Sequence, residues 1–357
     1  MELLSSPVWT DGTGCNGPNA LEISVVIPTY NSAWSIERTL VSVLAQRFSG
    51  FEVIIVDDGS TDDLHQRIEP FLRDVRVRLI VEENRGLAGA RNRGIAEARC
   101  QFVAMIDADD IWHPDFLGDT LAALKADPVA PFAYAYSFRI DRHDRVIEFT
   151  TRRHAPRHDF LGLLALNSVS NGSAALFRKT ALLAAGAFDE TLAKRAAQGA
   201  EDWKLALKLA ASNTPALVER NLVGYRLVAN SMSQQDPRRQ LAAILAVIDD
   251  IRESFPNVPA QHYANSRTMM IAWLLPALLN RRMFGTAARQ ALIAYALNPL
   301  WMLNGDIRRL HIHRLKQAVK AVLQKLTGGQ QAPPPLKSIT IDGEQPFSDL
   351  PWPEVPS

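Results

Sequence analysis

The stretch Phe102-Val103-Ala104-Met105-Ile106-Asp107-Ala108-Asp109-Asp110 is an apolar run that ends abruptly in three carboxylates within four positions. Consecutive apolar residues suit a strand covered on both faces, as in a parallel sheet. Three anions at its end repel one another and raise each other's pKa values unless a metal or a basic partner neutralises them. Carboxylate oxygens are hard ligands, so the metals that suit them are Mg2+ and Mn2+ rather than zinc. Taken alone, the same residues describe a solvated acidic loop, and the neighbouring segments must decide.

Upstream, Ile23-Ser24-Val25-Val26-Ile27 reads as a β-branched strand. Pro28 has no amide to give a ladder, so pairing is expected to stop there, with Thr29-Tyr30-Asn31 as a loop. Ile36, Leu40, Val43 and Leu44 have helical spacing, with Asn31 or Ser32 placed to cap the helix. Val53-Ile54-Ile55-Val56 then runs into Asp57-Asp58-Gly59-Ser60-Thr61-Asp62, completing a right-handed βαβ unit. A helix from Asp63 to Arg73, a strand from Arg78 to Val81 and a helix opened by Asn84 to Asn92 continue the alternation. The loops after these strands leave one edge of a parallel sheet, where open α/β folds collect ligands.

After Asp110 the rhythm changes. A helix from Pro114 to Lys125 precedes two strands, Phe132–Ile140 and Val146–Thr150, around a turn. A strand over Ser173–Arg178, a short helix stopped by Gly186, and a helix opened by Glu201-Asp202-Trp203 follow. Helices are expected at 237–254, 260–280, 285–297 and 300–325. Four sections result: a flexible leader over 1–20, an α/β catalytic domain over 21–233, a helical extension over 234–326 and a Pro-rich disordered tail over 327–357.

With 47% hydrophobic residues and a net charge of +1, the whole chain has no pull toward nucleic acid. Cys15 and Cys100 give neither a disulfide framework nor a CxxC pair. No basic region leads into an apolar core at the N-terminus, so the expected location is the cytoplasm. The most apolar piece, Met269 to Leu279, is about half the ~20 residues that a membrane span requires, and it carries Pro276.

Together these motifs resemble inverting glycosyltransferases of the GT-A fold, family 2. The likeness rests on Val26 to Asn31, Asp57 to Asp62, Asn84 to Asn92, Asp107-Ala108-Asp109-Asp110, and Gly186-Ala187-Phe188-Asp189-Glu190 followed by Glu201-Asp202-Trp203, in the family's order. It implies a mostly parallel α/β sheet flanked by helices, with a nucleotide-diphosphate sugar, a UDP-sugar first, over the strand ends. Pro28, Thr29 and Tyr30 would line the nucleoside pocket; a loop tyrosine offers a flat apolar face and a hydroxyl. Asp58 would accept hydrogen bonds from the base or ribose. Asn84 and Arg91 would approach the donor, Arg91 with a forked guanidinium.

The resemblance further implies that Asp109 holds a divalent ion, Mg2+ or Mn2+, on the donor diphosphate, with Asp107 on the ribose or a metal-bound water. Asp202 would be the base that takes the acceptor hydroxyl proton. Accessory roles fall to Glu201 beside it, Asp110 in the acidic loop, Trp203 beneath the site, Gly172 on the acceptor side and Arg226 near the diphosphate. Each segment also has a plain structural reading: an Asp-Gly turn at Asp58-Gly59, a surface ion pair at Arg91, and helix-dipole acids at Glu201-Asp202.

No QxxRW motif follows the base and no set of membrane helices is present, so one sugar per encounter is expected. The expected acceptor is a hydroxyl on a saccharide or lipid-linked molecule in surface polysaccharide or lipopolysaccharide assembly. The helices beyond 234 either pack on the catalytic domain or, through basic residues of 300–325, rest on an anionic membrane at the inner face of the plasma membrane. Two rival functions are a sugar-phosphate nucleotidyltransferase and a non-catalytic sugar-nucleotide binder. The first usually has a Gly-rich basic loop after its first strand, unlike Pro28-Thr29-Tyr30-Asn31, and the second would not need Asp107, Asp109 and Asp202.

Overall fold

The computed structural model describes residues 21–149, 158–169, 171–195, 197–227 and 236–299. The expected leader, tail and helix over 300–325 lie outside them, as does the segment Asn230–Ser233.

A nine-stranded mixed sheet forms the centre. In chain order its strands are β1 (Ile23–Thr29), β2 (Phe51–Asp57), β3 (Val77–Val81), β4 (Phe102–Met105), β5 (Ile111–Trp112), β6 (Phe132–Ile140), β7 (Val146–Phe149), β8 (Ala175–Arg178) and β9 (Ala216–Arg226). The order across the sheet is β3-β2-β1-β4-β8-β6-β9-β5, with β7 paired to β6. Strands β1, β2, β3 and β4 pair in parallel, as do β6 and β9, while β8, β7 and β5 run antiparallel to their neighbours. Strands β1, β2 and β4 are buried along their whole length, which is why they read as unbroken apolar runs.

Helices α1 (Ile36–Leu44), α2 (Leu64–Ile68), α3 (Leu87–Glu97), α4 (Phe116–Ala126), α5 (Phe160–Ala165), α6 (Lys179–Ala184), α7 (Thr191–Lys194) and α8 (Glu201–Ala210) connect the strands. Two hydrophobic clusters cover the faces of the sheet. One combines Val26, Met105 and Tyr134 with Trp203 and Leu207, and it continues into Leu241, Val247, Met270 and Ile271 of the C-terminal helices. Burying each such side chain stabilises the fold by about 1.5–3 kcal/mol before chain entropy is counted.

Three C-terminal helices follow: α9 (Pro237–Ser254), α10 (Ala260–Asn280) and α11 (Phe284–Leu297). They are tied to the helices that flank the sheet. Ser266 Oγ donates to Leu164 O in α5 at 2.6 Å, and the Lys204 ammonium of α8 bridges Asp189 and Asp250. Among the described residues, no helix is long and apolar enough to cross a membrane.

Several local expectations change. β1 continues through Pro28 to Thr29, paired with Val56 and Asp57. Backbone groups alternate sides along a strand: Val26 O accepts from Ile106 N on the β4 side, and Thr29 O accepts from Asp58 N on the β2 side. Pro28 therefore faces the side where β4 pairing has already ended, and its missing amide forfeits no ladder bond. Helix α1 starts at Ile36, after Ser35, and Asn31 instead takes a left-handed conformation (φ 51°). The helix expected over Asp63–Arg73 breaks into α2 and a 3-10 turn at Glu69–Arg73, where Pro70 enters. Residues 172–174 form a 3-10 turn before β8. Strands β5 and β9 were not foreseen.

Candidate active site

The C-terminal ends of β1, β2 and β4 carry the polar loops. The first two loops are tied together: Asn31 N donates to Ser60 Oγ at 3.0 Å, and Asn31 Oδ1 accepts from Thr61 N at 2.8 Å. Tyr30 projects from this pair, half exposed, while Pro28 and Thr29 are buried. The Thr29 Oγ1 atom is buried without a hydrogen-bond partner among the described residues. Asp58 is buried and accepts from two backbone amides that open α3, Arg85 N at 2.6 Å and Gly86 N at 2.8 Å. Gly86 has φ 80°, a conformation other residues rarely adopt, and this aims its amide at the carboxylate. Asn84 lies exposed beside it.

The turn after β4 is held from two sides. Ser173 Oγ accepts from Asp107 N at 2.9 Å and donates to Asp110 Oδ2 at 2.6 Å. Arg226, buried at the end of β9, donates its amide to Asp110 Oδ1 (2.9 Å) and its Nε to Asp109 O (2.6 Å). Its guanidinium also reaches Asp141 O and the Asp144 carboxylate. Asp110 is thus an internal strut. Burial, then the charges of Asp109 and Asp107, hold its carboxyl well above the ordinary range. Asp109 is pushed up to about 6, chiefly by burial and secondarily by Asp107, with Arg226 opposing.

Arg91, on α3, is buried at the centre. Its Nη2 donates to Asp107 Oδ1 at 2.7 Å, its Nη1 lies 3.5 Å from Glu201 Oε1, and its guanidinium sits over the Phe188 ring, 5.0 Å from the centroid. Burial works against the cation, but Asp107, Glu201 and Asp202 outweigh it and raise the pKa. Phe188 is placed by Asn92, whose amide exchanges two hydrogen bonds with the Phe188 backbone at 2.9 Å. Gly172 lets the guanidinium approach, since a Cβ there would stand 2.5 Å from Nη2.

Glu201 and Asp202 open α8. Glu201 is buried and accepts from Gly199 N at 2.7 Å. Asp202 accepts from Trp203 N at 2.7 Å, and its carboxyl is pushed up to about 6 by burial first and Glu201 second, against Arg91. Trp203 lies beneath, its indole donating to Leu163 O at 2.9 Å. Arg91, Asp107, Gly172, Glu201, Asp202 and Trp203 all line one cavity of about 560 Å3. Pro28, Thr29, Tyr30, Asp58, Asn84 and Asp109 do not line it; they belong to the adjoining strand-end loops.

Among the described residues, no three His, Cys, Asp or Glu side chains converge on a point where a metal ion could sit. The donor set nevertheless fits Mg2+ or Mn2+, which take one or two protein carboxylates and complete their shell with water and substrate phosphates. Asp109, desolvated and repelled by Asp107, is a group that such a cation would relieve.

The sequence profile of "Glycosyl transferase family 2" matches residues 24–183, from β1 to α6. Over those residues, somewhat under half of its length, the chain is similar to glycosyl transferase family 2. Among curated relatives, an uncharacterized glycosyltransferase of Rickettsia felis is 26% identical over 227 residues, 63% of this chain and 36% of that protein. The chain thus matches about a third of the length of that relative. WfgD of Escherichia coli, a UDP-Glc:alpha-D-GlcNAc-diphosphoundecaprenol beta-1,3-glucosyltransferase, is 36% identical over 91 residues, 25% of this chain and 36% of WfgD.

Among solved structures, S. aureus TarS in complex with UDP-GlcNAc superposes with a TM-score of 0.54 at 19% identity, covering 85% of this chain and 92% of that one. The mannosyltransferase PcManGT of Pyrobaculum calidifontis, in complex with GDP-Man and Mn2+, gives 0.53 at 20% identity, covering 87% and 88%. These likenesses carry the fold.

Sequence reading takes Asn171-Gly172-Ser173 for a segment that shapes the acceptor side, whereas Ser173 holds the acidic turn; it gives Asn92 and Phe188 no role of their own. Asn92 and Phe188 lay inside quoted motifs, but their mutual bond joins residues 96 positions apart.

Proposed function

We propose that this family 2 glycosyltransferase moves a single sugar from a nucleotide-diphosphate sugar, a UDP-sugar first, to a hydroxyl of a saccharide or lipid-linked acceptor, with inversion. The observation that carries the reading is Asp202, a carboxylate pushed up to about 6 on the wall of a cavity that Asp107 and Arg91 also line. A base poised near neutral pH suits proton removal from a hydroxyl.

In this mechanism Pro28, Thr29, Tyr30, Asp58 and Asn84 hold the nucleoside. Thr29 Oγ1, buried without a partner, has a hydrogen bond to give it. Arg91 orients Asp107 and places positive charge beside the diphosphate. Asp202 takes the acceptor proton as the hydroxyl oxygen bonds to the anomeric carbon, and the bond from that carbon to the diphosphate oxygen breaks with its electron pair leaving on the nucleoside diphosphate. Attack from the face opposite the leaving group inverts the centre. Asp109 and Asp107 would hold a divalent cation, whose Lewis acidity offsets charge on the departing diphosphate. WfgD, named for a diphosphoundecaprenol-linked acceptor, supports the lipid-linked alternative, and ExoO of Rhizobium meliloti, named for succinoglycan biosynthesis, supports a role in polysaccharide assembly.

A panel of UDP-, GDP- and dTDP-sugars, with and without Mg2+ or Mn2+, read by thermal shift, tests the donor reading. A rise in Tm confined to nucleotide plus metal is expected. Equal shifts without metal would remove the cation from the scheme, and no shift with any nucleotide would remove the donor.

A further inference from the structure

The C-terminal helices do more than pack. Asp236, Gln240 and Ile244 at the start of and along α9 recur every fourth residue, and Met270, Trp273, Leu274 and Ala277 of α10 follow three-and-four spacing, so each set shares one helical face. Both faces line the cavity that holds Asp202. The nucleoside-loop residues line none of it, so the space on this side is left for the other substrate.

Its lining mixes aliphatic side chains, Leu166, Leu227, Ile244 and Leu274 among them, with groups that suit a carbohydrate. Trp273 is half-buried against the core and presents aromatic surface, the partner that the apolar face of a sugar ring stacks on. Gln198 and Gln240 bring amide groups that can both donate to and accept from hydroxyls. The lining holds four carboxylates, Asp107, Glu201, Asp202 and Asp236, and three arginines, Arg91, Arg139 and Arg239, the last acting on Asp236 through its charge. Arg91 is matched by Asp107 and Glu201, and Asp236 by Arg238 at 3.0 Å. Arg139 and Arg239 add two further cations to the lining, and the exposed Arg239 guanidinium has no ion pair or hydrogen bond among the described residues.

We infer that α9 and α10 form the acceptor subsite, with Trp273 stacking on the acceptor sugar and Arg239 receiving a phosphoryl group attached to it. The inference rests on the glycosyltransfer reading and adds to it the class of acceptor: a phosphorylated sugar, free or esterified to a lipid. It also assigns specificity to helices outside residues 24–183, the part shared with the family profile.

The test measures binding of N-acetylglucosamine 1-phosphate, its dodecyl ester and neutral N-acetylglucosamine to the full chain by saturation-transfer NMR and calorimetry, beside UDP as a control. The phosphorylated probes are expected to bind more tightly than the neutral sugar, and a tighter dodecyl ester would mark a lipid-linked source. Trp273→Ala should weaken both phosphorylated probes by about tenfold, the equivalent of one good stacking contact, while Trp273→Phe retains most of the affinity. Arg239→Ala, at an exposed position that should not disturb folding, should erase the preference for phosphate. Normal UDP binding and UDP release, with Trp273→Ala and Arg239→Ala binding the probes as wild type does, would overturn the subsite while leaving glycosyltransfer standing. Loss of UDP binding in the wild-type chain would instead remove the reading beneath it.

Discussion

Arg91 Nη2 lies 2.7 Å from Asp107 Oδ1, an ion pair between a buried guanidinium and a half-buried carboxylate that joins the first turns of α3 to the end of β4. The same guanidinium approaches Glu201 at 3.5 Å, so one cation binds the acidic turn to the helix that carries Asp202. Removing one partner of a buried pair leaves the other uncompensated. Arg91→Ala should therefore cost about 3–5 kcal/mol of stability. Arg91→Lys keeps the charge but not the fork that spans both carboxylates, and should keep much of the stability while losing most of the transfer. Denaturant unfolding and a transfer assay on both variants check this.

Gly172→Ala should mimic an Arg91 defect from a distance. Its Cβ would stand 2.5 Å from Arg91 Nη2, so the guanidinium must shift from its partners. The expected result is a sharp fall in transfer with a smaller loss of UDP affinity, since the nucleoside loops are untouched while Arg91 no longer places its charge beside the diphosphate. Calorimetry with UDP beside a transfer assay separates the two.

Ser173→Ala removes both the donor to buried Asp110 and the acceptor of Asp107 N. A buried carboxylate stripped of one donor costs about 1–3 kcal/mol or more. Lower Tm together with weakened Mn2+-dependent nucleotide binding is expected, because the turn carrying Asp109 loses its anchor.

Both Asp202 and Asp109 are pushed up to about 6, so transfer should fall as pH drops through that value. The sign for stability is opposite. A carboxyl whose folded pKa exceeds its unfolded value near 3.8 binds its proton more tightly in the folded state, so its contribution is lost as pH rises toward 6. At pH 7, Asp202→Asn should then be more stable than wild type, by at most about 3 kcal/mol for a shift of ~2 units. Melting curves from pH 4 to 8 should show the gap opening across that interval.

The parallel half of the fold was legible because β1, β2 and β4 are buried on both faces and so read as apolar runs that end in loops. β9 was not, because its first five residues are half-buried or exposed and mix Ala, Val, Glu and Arg without clean alternation. Helices α9, α10 and α11 were legible as helices, yet their part in the cavity was not. Periodicity shows which face of a helix is apolar, while the placing of Trp273 and Gln240 on the cavity that Asp202 lines depends on how α9 and α10 dock against α5 and α8. Asp107, Asp109 and Asp110 are equal in sequence. Their division comes from partners far along the chain, Arg91, Ser173 and Arg226, of which Ser173 and the backbone amide of Arg226 single out Asp110.

The role of Asp202 is tested most directly by Asp202→Asn, measured as release of UDP from a UDP-sugar with an acceptor sugar or water as nucleophile, beside calorimetric binding of UDP. Loss of a general base predicts a rate lower by about 10^2- to 10^4-fold with UDP affinity unchanged. Transfer at the wild-type rate by Asp202→Asn would contradict the account.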